Sequence, residues 1–272
     1  MSEIERNLEL AVRLAREAGA LQRSRWGTAL TIGTKSAAVD LVTEVDRACE
    51  ELVVAALERE RPDDAILGEE GGVRGRAGGA WRWVVDPLDG TTNFAHGYPC
   101  FCVSIAAERD GEAVVGAVYN PILDELYHAT LGGGAFLDGA PIQTSRETEL
   151  SRALLATGFA YDRRASPRDN LAELASFLER ARAVRRDGSA ALDLCSVACG
   201  RFDGYWEFKL SAWDVAAGGL IVVEAGGRIS DRAGGPAPPS GREMVASNGR
   251  IHEAMLEALA ASGRDSASGV AR

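Results

Sequence analysis

Two aspartates, Asp86 and Asp89, follow an apolar run and precede a helix signal. The segment reads WVVDPLDGTTNF over residues 83–94. An apolar strand would deliver the first aspartate at its end, and the proline and glycine would force a turn. Thr91 or Thr92 can then cap a helix. Paired carboxylates suit a hard divalent cation, and free N–H groups at a helix start suit a phosphate. The segment therefore predicts a combined metal and phosphate site.

Three other interpretations of this segment stay open. A strand that ends in Asp resembles a Walker B element, but the P-loop pattern GxxxxGK[ST] does not occur in the sequence. Phosphatases that form an aspartyl-phosphate carry DxDx[TV], with one residue between the acids, whereas two residues separate Asp86 from Asp89. The third interpretation is a capped turn with a locally satisfied aspartate, although a cap does not need two acids.

Acids elsewhere in the chain could complete the metal site. Glu69 and Glu70 follow a short apolar stretch, Asp46 falls in the first turn of a predicted helix, and Asp214 opens another helix. Taken singly, the glutamates are explained as a solvated turn and the aspartates as acids that complement a helix macrodipole. None of these acids identifies a metal site alone.

In combination, these motifs resemble the inositol monophosphatase family. Besides Glu69-Glu70 and the segment 86–94, the family's motifs are matched by WDVAAGGLI with EAGG over residues 213–227. The segment from Lys35 to Asp46, with its DLVT, fits as well. The motifs follow the family's order, and the similarity extends from the first helix to SNGR at 247–250. The chain is therefore identified as a member of this family.

The resemblance implies a fold, an activity and a set of site residues. The fold would be α/β, a five-layered αβαβα sandwich of the sugar-phosphatase type, usually as a homodimer. The activity would be hydrolysis of phosphate monoesters that requires Mg²⁺, two or three ions per subunit, and is inhibited by Li⁺. Carried over by motif, Glu69 and Asp86 would bind the first ion, and Asp86, Asp89, Asp214 and the C=O of Leu88 the second. Asp46 and Thr91 would orient the attacking water. Together with Glu69, they are the predicted catalytic residues. Substrate contacts are predicted for Gly90, Thr91, Gly188, Ser189, Ala190, Glu207 and Asp214.

The reaction implied by these residues is in-line attack of water without a phosphoenzyme. Bound Mg²⁺ would lower the pKa of a water, clamp the phosphoryl oxygens and stabilise the leaving oxygen. Lys35 would steer the anionic substrate or pair with a metal-site acid, and a plain surface lysine is an equal alternative. His96 is a weaker candidate for a general acid, because water at the metal can protonate the leaving group.

The favoured substrate is myo-inositol 1-phosphate, and the Thr-Thr-Asn form of the loop supports it. Relatives that act on 3′-phosphoadenosine nucleotides often carry Lys where this chain has Thr92. Histidinol phosphate and fructose 1,6-bisphosphate stay open as substrates, because few residues contact the alcohol. A non-catalytic scaffold of the same fold is the alternative from another functional class.

The composition of the chain limits the classes of partner that it could bind. The chain has 272 residues with 30 basic and 40 acidic side chains, a net charge of −10. Nucleic acid and anionic membranes are therefore disfavoured as partners, because binding to them needs a basic face. The five scattered cysteines indicate buried thiols in a reducing compartment. The charged N-terminus and the short apolar runs predict neither a signal peptide nor a membrane span, so a cytoplasmic location is expected.

Strand and helix patterns are mixed without strict alternation, which favours layered sheets and helices. Residues 1–262 are expected to form one catalytic unit of two tightly packed αβ halves, divided near 140–150, with a disordered tail at 263–272. A mobile loop is expected over the glycine-rich residues 71–79 and a surface loop over 234–241. Helices are predicted from residue 4, from 43 to before Pro62, and over 168–183, 189–199, 212–224 and 250–261. Strands are predicted over 65–67, 81–85, 101–107, 113–119 and 125–129.

Overall fold

The computed structural model describes residues 1–36, 39–76, 78–166 and 168–267. Its helices are α1 (Glu3–Arg25), α2 (Glu44–Glu60), α3 (Thr91–Ala95), α4 (Leu171–Arg180), α5 (Ala190–Ala198), α6 (Ala212–Glu224) and α7 (His252–Ala267). Its strands are β1 (Ile32–Thr34), β2 (Leu41–Thr43), β3 (Ala65–Gly68), β4 (Gly72–Gly75), β5 (Arg82–Asp89), β6 (Cys102–Arg109), β7 (Glu112–Asn120), β8 (Glu125–Thr130), β9 (Gly134–Leu137), β10 (Ala140–Pro141), β11 (Leu154–Thr157), β12 (Ala183–Arg185), β13 (Gly204–Phe208), β14 (Arg228–Ser230) and β15 (Glu243–Ser247).

The strands form two mixed sheets and one small hairpin. The first sheet has the order β10-β9-β8-β7-β6-β5-β3-β4 and is antiparallel except where β3 runs parallel to β5. The second sheet has the order β12-β11-β13-β15-β14, with its parallel pairs on either side of β11. The chain crosses from the first sheet to the second between Pro141 and Leu154. Strands β1 and β2 form the separate hairpin.

The helices and the two sheets stack in five layers, as predicted. Helices α1 and α2 cover one face of the first sheet, and α5 and α6 pack between the two sheets. Helices α4 and α7 close the outer face of the second sheet around Phe177 and Trp206. Successive side chains of β5 point to opposite faces of the sheet. Trp83 and Val85 face the α1 side, whereas Val84 faces the α5–α6 side. No helix in the described part of the chain combines the length and apolarity needed to cross a membrane.

Two predicted helix starts are confirmed, and for α2 the predicted Thr43 cap is confirmed as well. Helix α2 begins after Thr43, whose hydroxyl accepts from the helix while Asp46 reaches back to the Thr43 N–H. Helix α6 has the predicted bounds and the same reciprocal arrangement between Ser211 and Asp214. Such capping boxes satisfy backbone N–H groups that have no partner inside the helix. In both helices the acid of the box is also a predicted site residue.

The prediction of a mobile loop over residues 71–79 is wrong for β4, which pairs with β3 in antiparallel register. Gly75 adopts φ +74°, and a Cβ there would collide with the carbonyl oxygen of Asp64. Glycine at position 75 therefore allows the chain to lie close to the backbone of Asp64. The glycine-rich composition, taken alone, predicts a mobile loop instead. Residue 77 of this run, like residues 37 and 38 of the Lys35–Asp46 motif, lies outside the described residues.

The predicted tail is also corrected in part. Helix α7 continues through Ala267, so residues 263–267 are helical and do not belong to a disordered tail. Residues 268–272, the rest of that prediction, lie outside the described residues. Strands β11–β15, which build the second sheet, were not predicted at all.

Gly116→Ala tests the packing of α6 on β7. A Cβ at Gly116 would lie 2.9 Å from the carbonyl oxygen of Ala217 in α6, so the helix and the strand must separate. We expect the free energy of unfolding in urea to fall by roughly 1–3 kcal/mol. Gly219→Ala in α6 is the matched control. Its Cβ would make ordinary contacts of 3.6 and 3.8 Å, and replacing a helical glycine should raise stability by about 0.5–1 kcal/mol. Equal effects of the two substitutions would contradict the tight crossing.

Candidate active site

A β-bulge sets the relative orientation of Asp86 and Asp89. In a regular strand, residues three apart point to opposite faces. Here Asp86 pairs with Ser104 and Asp89 pairs with Cys102, so two residues of β5 lie opposite one residue of β6. The extra residue reverses the alternation once, and both aspartates line the same cleft. The predicted end of the strand at Asp86 is therefore three residues too early, since β5 continues through the bulge.

A tight turn follows the bulge and leads into α3. Gly90 adopts φ +97°, and a Cβ there would lie 2.8 Å from the carbonyl oxygen of Cys100. A side chain at this position would meet both backbone strain and a clash. The turn places the start of α3, at Thr91, on the cleft wall beside Asp89.

Thr91 connects the cleft to the buried Asp46. Its Oγ1 lies 2.8 Å from Asp46 Oδ1 and 3.1 Å from the carbonyl oxygen of Leu88, and it can donate to either. The other oxygen of Asp46 accepts from the N–H and the hydroxyl of Thr43, at 2.8 and 2.6 Å. Asp46 is fully buried and does not line the cleft. Its contact with the cleft runs through the Thr91 hydroxyl.

The start of α5 holds Asp89 in place. Asp89 Oδ2 accepts from the hydroxyl of Ser189 at 2.7 Å and from the N–H of Ala191 at 2.8 Å. A carboxylate at a helix N-terminus is favoured by the macrodipole as well as by these hydrogen bonds. Ser189 is buried behind Asp89, away from the cleft wall, whereas Gly188 and Ala190 line the cleft. The position of Ser189 thus differs from that expected for a direct substrate contact.

Glu69 and Asp214 approach the cleft from two other elements. Asp214 Oδ2 accepts from the N–H of Ser211 at 2.6 Å, within the cap of α6. Glu69 follows β3 and forms an ion pair with Lys35 at 2.7 Å, and Lys35 also pairs with Glu70. Of the three alternatives for Lys35, the structure supports pairing with a site acid.

The cleft has a volume of about 410 Å³ and gathers residues from both halves of the chain. The predicted residues that line it are Glu69, Asp86, Leu88, Asp89, Gly90, Thr91, Gly188, Ala190, Glu207 and Asp214. The exposed His96 does not line it. A neighbouring cleft of about 520 Å³ shares Lys209 and Leu210, but the glutamates in its lining are paired with arginines. The acids that could bind a metal therefore belong to the smaller cleft.

Burial and mutual repulsion disfavour the charged state of the clustered acids. The pKa of Asp86 lies well above its usual range because of burial and the nearby Glu69, Asp89 and Asp214. Burial also raises the pKa of Asp214, with further contributions from Asp89 and Glu69. Burial raises the pKa of Glu69 to about 7, although Lys35 opposes that shift. With all four acids ionised, the cleft would hold more negative charge than Lys35 alone could neutralise.

The donors fit a hard divalent cation. They are the carboxylates of Glu69, Asp86, Asp89 and Asp214 and the carbonyl of Leu88, all oxygen ligands of the kind that Mg²⁺ and Ca²⁺ take. Among the residues that the structure describes, no group of three or more His, Cys, Asp or Glu side chains is arranged so that it could hold a metal ion. The fit to a cation therefore rests on the chemistry of these donors and on the cleft that they share.

The opposite side of the cleft is built from the second half of the chain. Glu207 lies at the end of β13, where the hydroxyl of Tyr205 donates to its Oε2 at 2.7 Å. Gly158 faces this carboxylate so closely that any Cβ would overlap it. Burial raises the pKa of Glu207 to about 7, although Tyr205 and then Arg186 oppose the shift.

Several residues of the cleft were missed from the sequence. They are Gly158, Tyr161, Arg186 and Lys209, all from loops of the second half. Lys209 adopts φ +63°, unusual for a lysine, and is held by Asp162 at 2.8 Å. No spacing or motif links these residues, and only the second sheet brings them to one place.

Comparison with known proteins agrees with the sequence motifs. A model of the inositol monophosphatase family matches residues 3–264. The chain is 46% identical to an inositol-1-monophosphatase from Synechocystis sp. over 96% of this chain and 91% of that protein. It is 44% identical to a protein of Pseudomonas aeruginosa named Nus factor SuhB, over 93% and 95% of the two chains. The solved inositol monophosphatase of Anabaena (Nostoc) sp. superposes with a TM-score of 0.87 at 41% identity, covering 96% of this chain and 97% of that structure.

The raised pKa of Glu207 predicts how stability changes with pH in the presence of a chelator. The ordinary pKa is 4.5 and the value in the fold is about 7, so the folded state binds more protons between these pH values. The free energy of unfolding therefore falls as the pH rises. At about 1.4 kcal/mol per pKa unit, this fall between pH 4 and 8 should be roughly 2–3 kcal/mol larger in the wild type than in Glu207→Gln. Denaturation with urea at several pH values measures it, and exposed Glu9→Gln should behave as wild type. Parallel curves for wild type and Glu207→Gln would refute the prediction.

Proposed function

Since the chain belongs to the inositol monophosphatase family, we propose that it hydrolyses myo-inositol 1-phosphate to myo-inositol and phosphate. The observation that carries the proposal is the convergence of Glu69, Asp86, Asp89 and Asp214 on one cleft. The name of the Synechocystis relative supports the choice of substrate. The hydroxyl-rich alcohol suits the polar wall that Glu207 provides in the same cleft.

The proposed cofactor is Mg²⁺, with two or three ions per subunit. Glu69 and Asp86 would bind the first ion, and Asp86, Asp89, Asp214 and the carbonyl of Leu88 would bind the second. When bound, Mg²⁺ supplies Lewis-acid activation of water and neutralises charge on the phosphoryl and leaving oxygens. Binding of the ions would release Lys35 from Glu69, so that this lysine faces the incoming anion.

Thr91 and Asp46 orient the attacking water in this proposal. By donating to Asp46, the Thr91 hydroxyl leaves its own lone pairs free to accept from a water in the cleft. Thr43 fixes Asp46 by two hydrogen bonds, so the direction of the Thr91 hydroxyl is set before substrate binds. The N–H groups of Gly90 and Thr91 are placed at the start of α3 to hold a phosphate oxygen. Water then attacks phosphorus directly, and no side chain forms a covalent intermediate.

The alcohol is positioned by residues of the second half. Glu207 accepts hydrogen bonds from substrate hydroxyls, and the backbone at Gly188 and Ala190 borders the ring. Ser189 acts through Asp89, to which it donates. Asp214 would contribute on both sides, as a ligand of the second ion and as a neighbour of the alcohol.

A bisphosphate such as fructose 1,6-bisphosphate is the second candidate substrate. Arg186 lines the cleft, and its positive charge acts on Glu207, whose pKa it lowers. A second phosphate would pair with this guanidinium. Arg186→Ala should therefore weaken the use of the bisphosphate more than that of inositol 1-phosphate.

A non-catalytic role is the other alternative. The relative from Pseudomonas aeruginosa carries the name of a Nus factor, not of an enzyme, which favours a partner-binding role on the same fold. The retention of an acid at each proposed metal position favours catalysis as the main function.

Assembly, location and inhibition are proposed from the family alone. We propose a cytoplasmic homodimer that is inhibited by Li⁺ and has neither a nucleic acid nor a membrane as its main partner. Light scattering with a mass near twice that of one chain would support the dimer.

A substrate panel at saturating Mg²⁺ tests the proposed activity. Inositol 1-phosphate, histidinol phosphate, fructose 1,6-bisphosphate and 3′-phosphoadenosine nucleotides are compared by phosphate release, with and without chelator. We expect the highest kcat/KM for inositol 1-phosphate and loss of all activity with chelator, because the acids then lack their cations. A kcat/KM for inositol 1-phosphate far below that for another ester would overturn the substrate, and activity in chelator would overturn the metal.

The variant Asp89→Asn distinguishes the proposed catalytic function from the non-catalytic scaffold alternative. Removing one carboxylate charge should lower kcat by at least about 100-fold and abolish the rise in Tm that Mg²⁺ gives the wild type. Asp110→Asn is the matched control, since Asp110 is 96% exposed at φ +55°, a conformation that asparagine tolerates. If Asp89→Asn lost turnover but fully complemented a deletion strain, the scaffold alternative would replace catalysis as the main function.

A further inference from the structure

One side chain of α1 binds both strands at the bulge. Gln22 is fully buried, and its Nε2 donates to the carbonyl oxygen of Pro87 at 2.8 Å and to that of Cys102 at 3.2 Å. Pro87 lies in the bulge of β5, and Cys102 is the residue of β6 that pairs with Asp89. The amide therefore joins the two strands where their register changes.

The two carbonyls also fix which way the amide points. Its Nε2 carries two N–H groups, one for each carbonyl. In the flipped orientation, Oε1 would face two carbonyl oxygens and neither could be satisfied. In the observed orientation only Oε1 is left without a partner among the described residues. A buried acceptor without a partner is destabilising. The two hydrogen bonds that Nε2 donates are therefore the reason that this position favours glutamine.

A bulge needs such support because it interrupts the backbone ladder. The extra residue of a bulge is left without its regular pairing, and Pro87 has no N–H to offer. Gln22 supplies donors from outside the sheet at this interruption. On one side of Pro87 lies Asp86 and on the other Leu88, whose carbonyl faces the turn to Thr91.

We propose that Gln22 is a positioning residue for the metal site. By tying Pro87 to β6 it holds the bulge, and the bulge holds Asp86, Asp89 and the carbonyl of Leu88 in one orientation. Gln22 touches neither metal nor substrate, and it acts through the backbone of Pro87. The inference rests on the metal site of the proposed function and assigns a role in it to a helix far from the motifs.

Gln22→Met tests the role, because methionine keeps the length and apolar volume of the side chain but donates no hydrogen bond. Binding of Mn²⁺ without substrate, followed by electron paramagnetic resonance, reports on the ligands directly. We expect the Kd for Mn²⁺ to rise about tenfold, as for other groups that orient metal ligands. At saturating Mg²⁺ kcat should fall while the KM for substrate stays within about twofold.

Leu14→Ala is the matched control. Leu14 is fully buried on the same helix, and its truncation should destabilise the fold while leaving the Kd for Mn²⁺ unchanged. Equal Kd values in wild type and Gln22→Met would overturn the inference, as would an equal rise in both variants. Failure of the wild type to bind Mn²⁺ would instead contradict the metal site itself, and the inference with it.

If Gln22→Met does not fold, the wild type decides by ¹⁵N NMR. The chain has two glutamines, the buried Gln22 and the exposed Gln143. We expect the side-chain amide of Gln22 to be protected from solvent exchange and to shift when Mg²⁺ is added, while that of Gln143 does neither. A Gln22 amide that exchanges freely, or that does not respond to saturating Mg²⁺, would overturn the proposal.

Discussion

Repulsion among buried carboxylates is the constraint on which this structure depends. Burial raises the pKa values of Asp86, Asp89 and Asp214, and nearby acids add to the shift at Asp86 and Asp214. Hydrogen bonds from Ser189 and from the start of α5 oppose the shift at Asp89. The fold holds these acids by hydrogen bonds from rigid elements. The N-terminus of α5 donates to Asp89, and the N-terminus of α6 donates to Asp214. Helix N-termini carry partial positive charge, and two of them are directed at one cleft. The single charge of Lys35 does not neutralise these carboxylates when they are ionised, whereas divalent cations would.

The same acids also shape the fold, which links stability to the site. Asp46 closes the cap of α2 with one oxygen and receives Thr91 with the other. Asp214 closes the cap of α6 in the same way, with its second oxygen left for the cleft. Each residue closes the cap at the start of a helix, and each contacts the site, Asp46 through Thr91 and Asp214 directly. The backbone geometry of the caps therefore fixes the direction of the carboxylates. The site is therefore built from element ends, the positions where the chain direction is best defined by local hydrogen bonds.

The sequence predicted the helices and the acids well, because both rest on local signals. The predicted bounds of α6 match those in the structure, because an apolar run lies between Asp214 and a pair of glycines. The second sheet was missed because β11–β15 are only three to five residues long and show no clear alternation. The bulge was interpreted as a turn, since proline and glycine signal both and only the pairing with β6 distinguishes them. Gln22 was beyond reach for the same reason, because its partners lie 65 and 80 residues away.

This difference between local and long-range signals also separates the two ends of the cleft. The end that we propose holds the phosphate comes from contiguous motifs of the first half, where Asp86, Asp89 and Thr91 lie within six residues. The end that we propose holds the alcohol comes from the second half, from the loops of Gly158 and Arg186 and from Glu207 in β13, which only tertiary structure joins. Loops tolerate substitution more readily than the elements they connect, whereas a change in the bulge or the caps would disturb the acids themselves. Under the proposed function, such a chain would exchange one alcohol for another through changes in the second sheet's loops, because Asp86 and Asp89 are positioned by the bulge and by the start of α5.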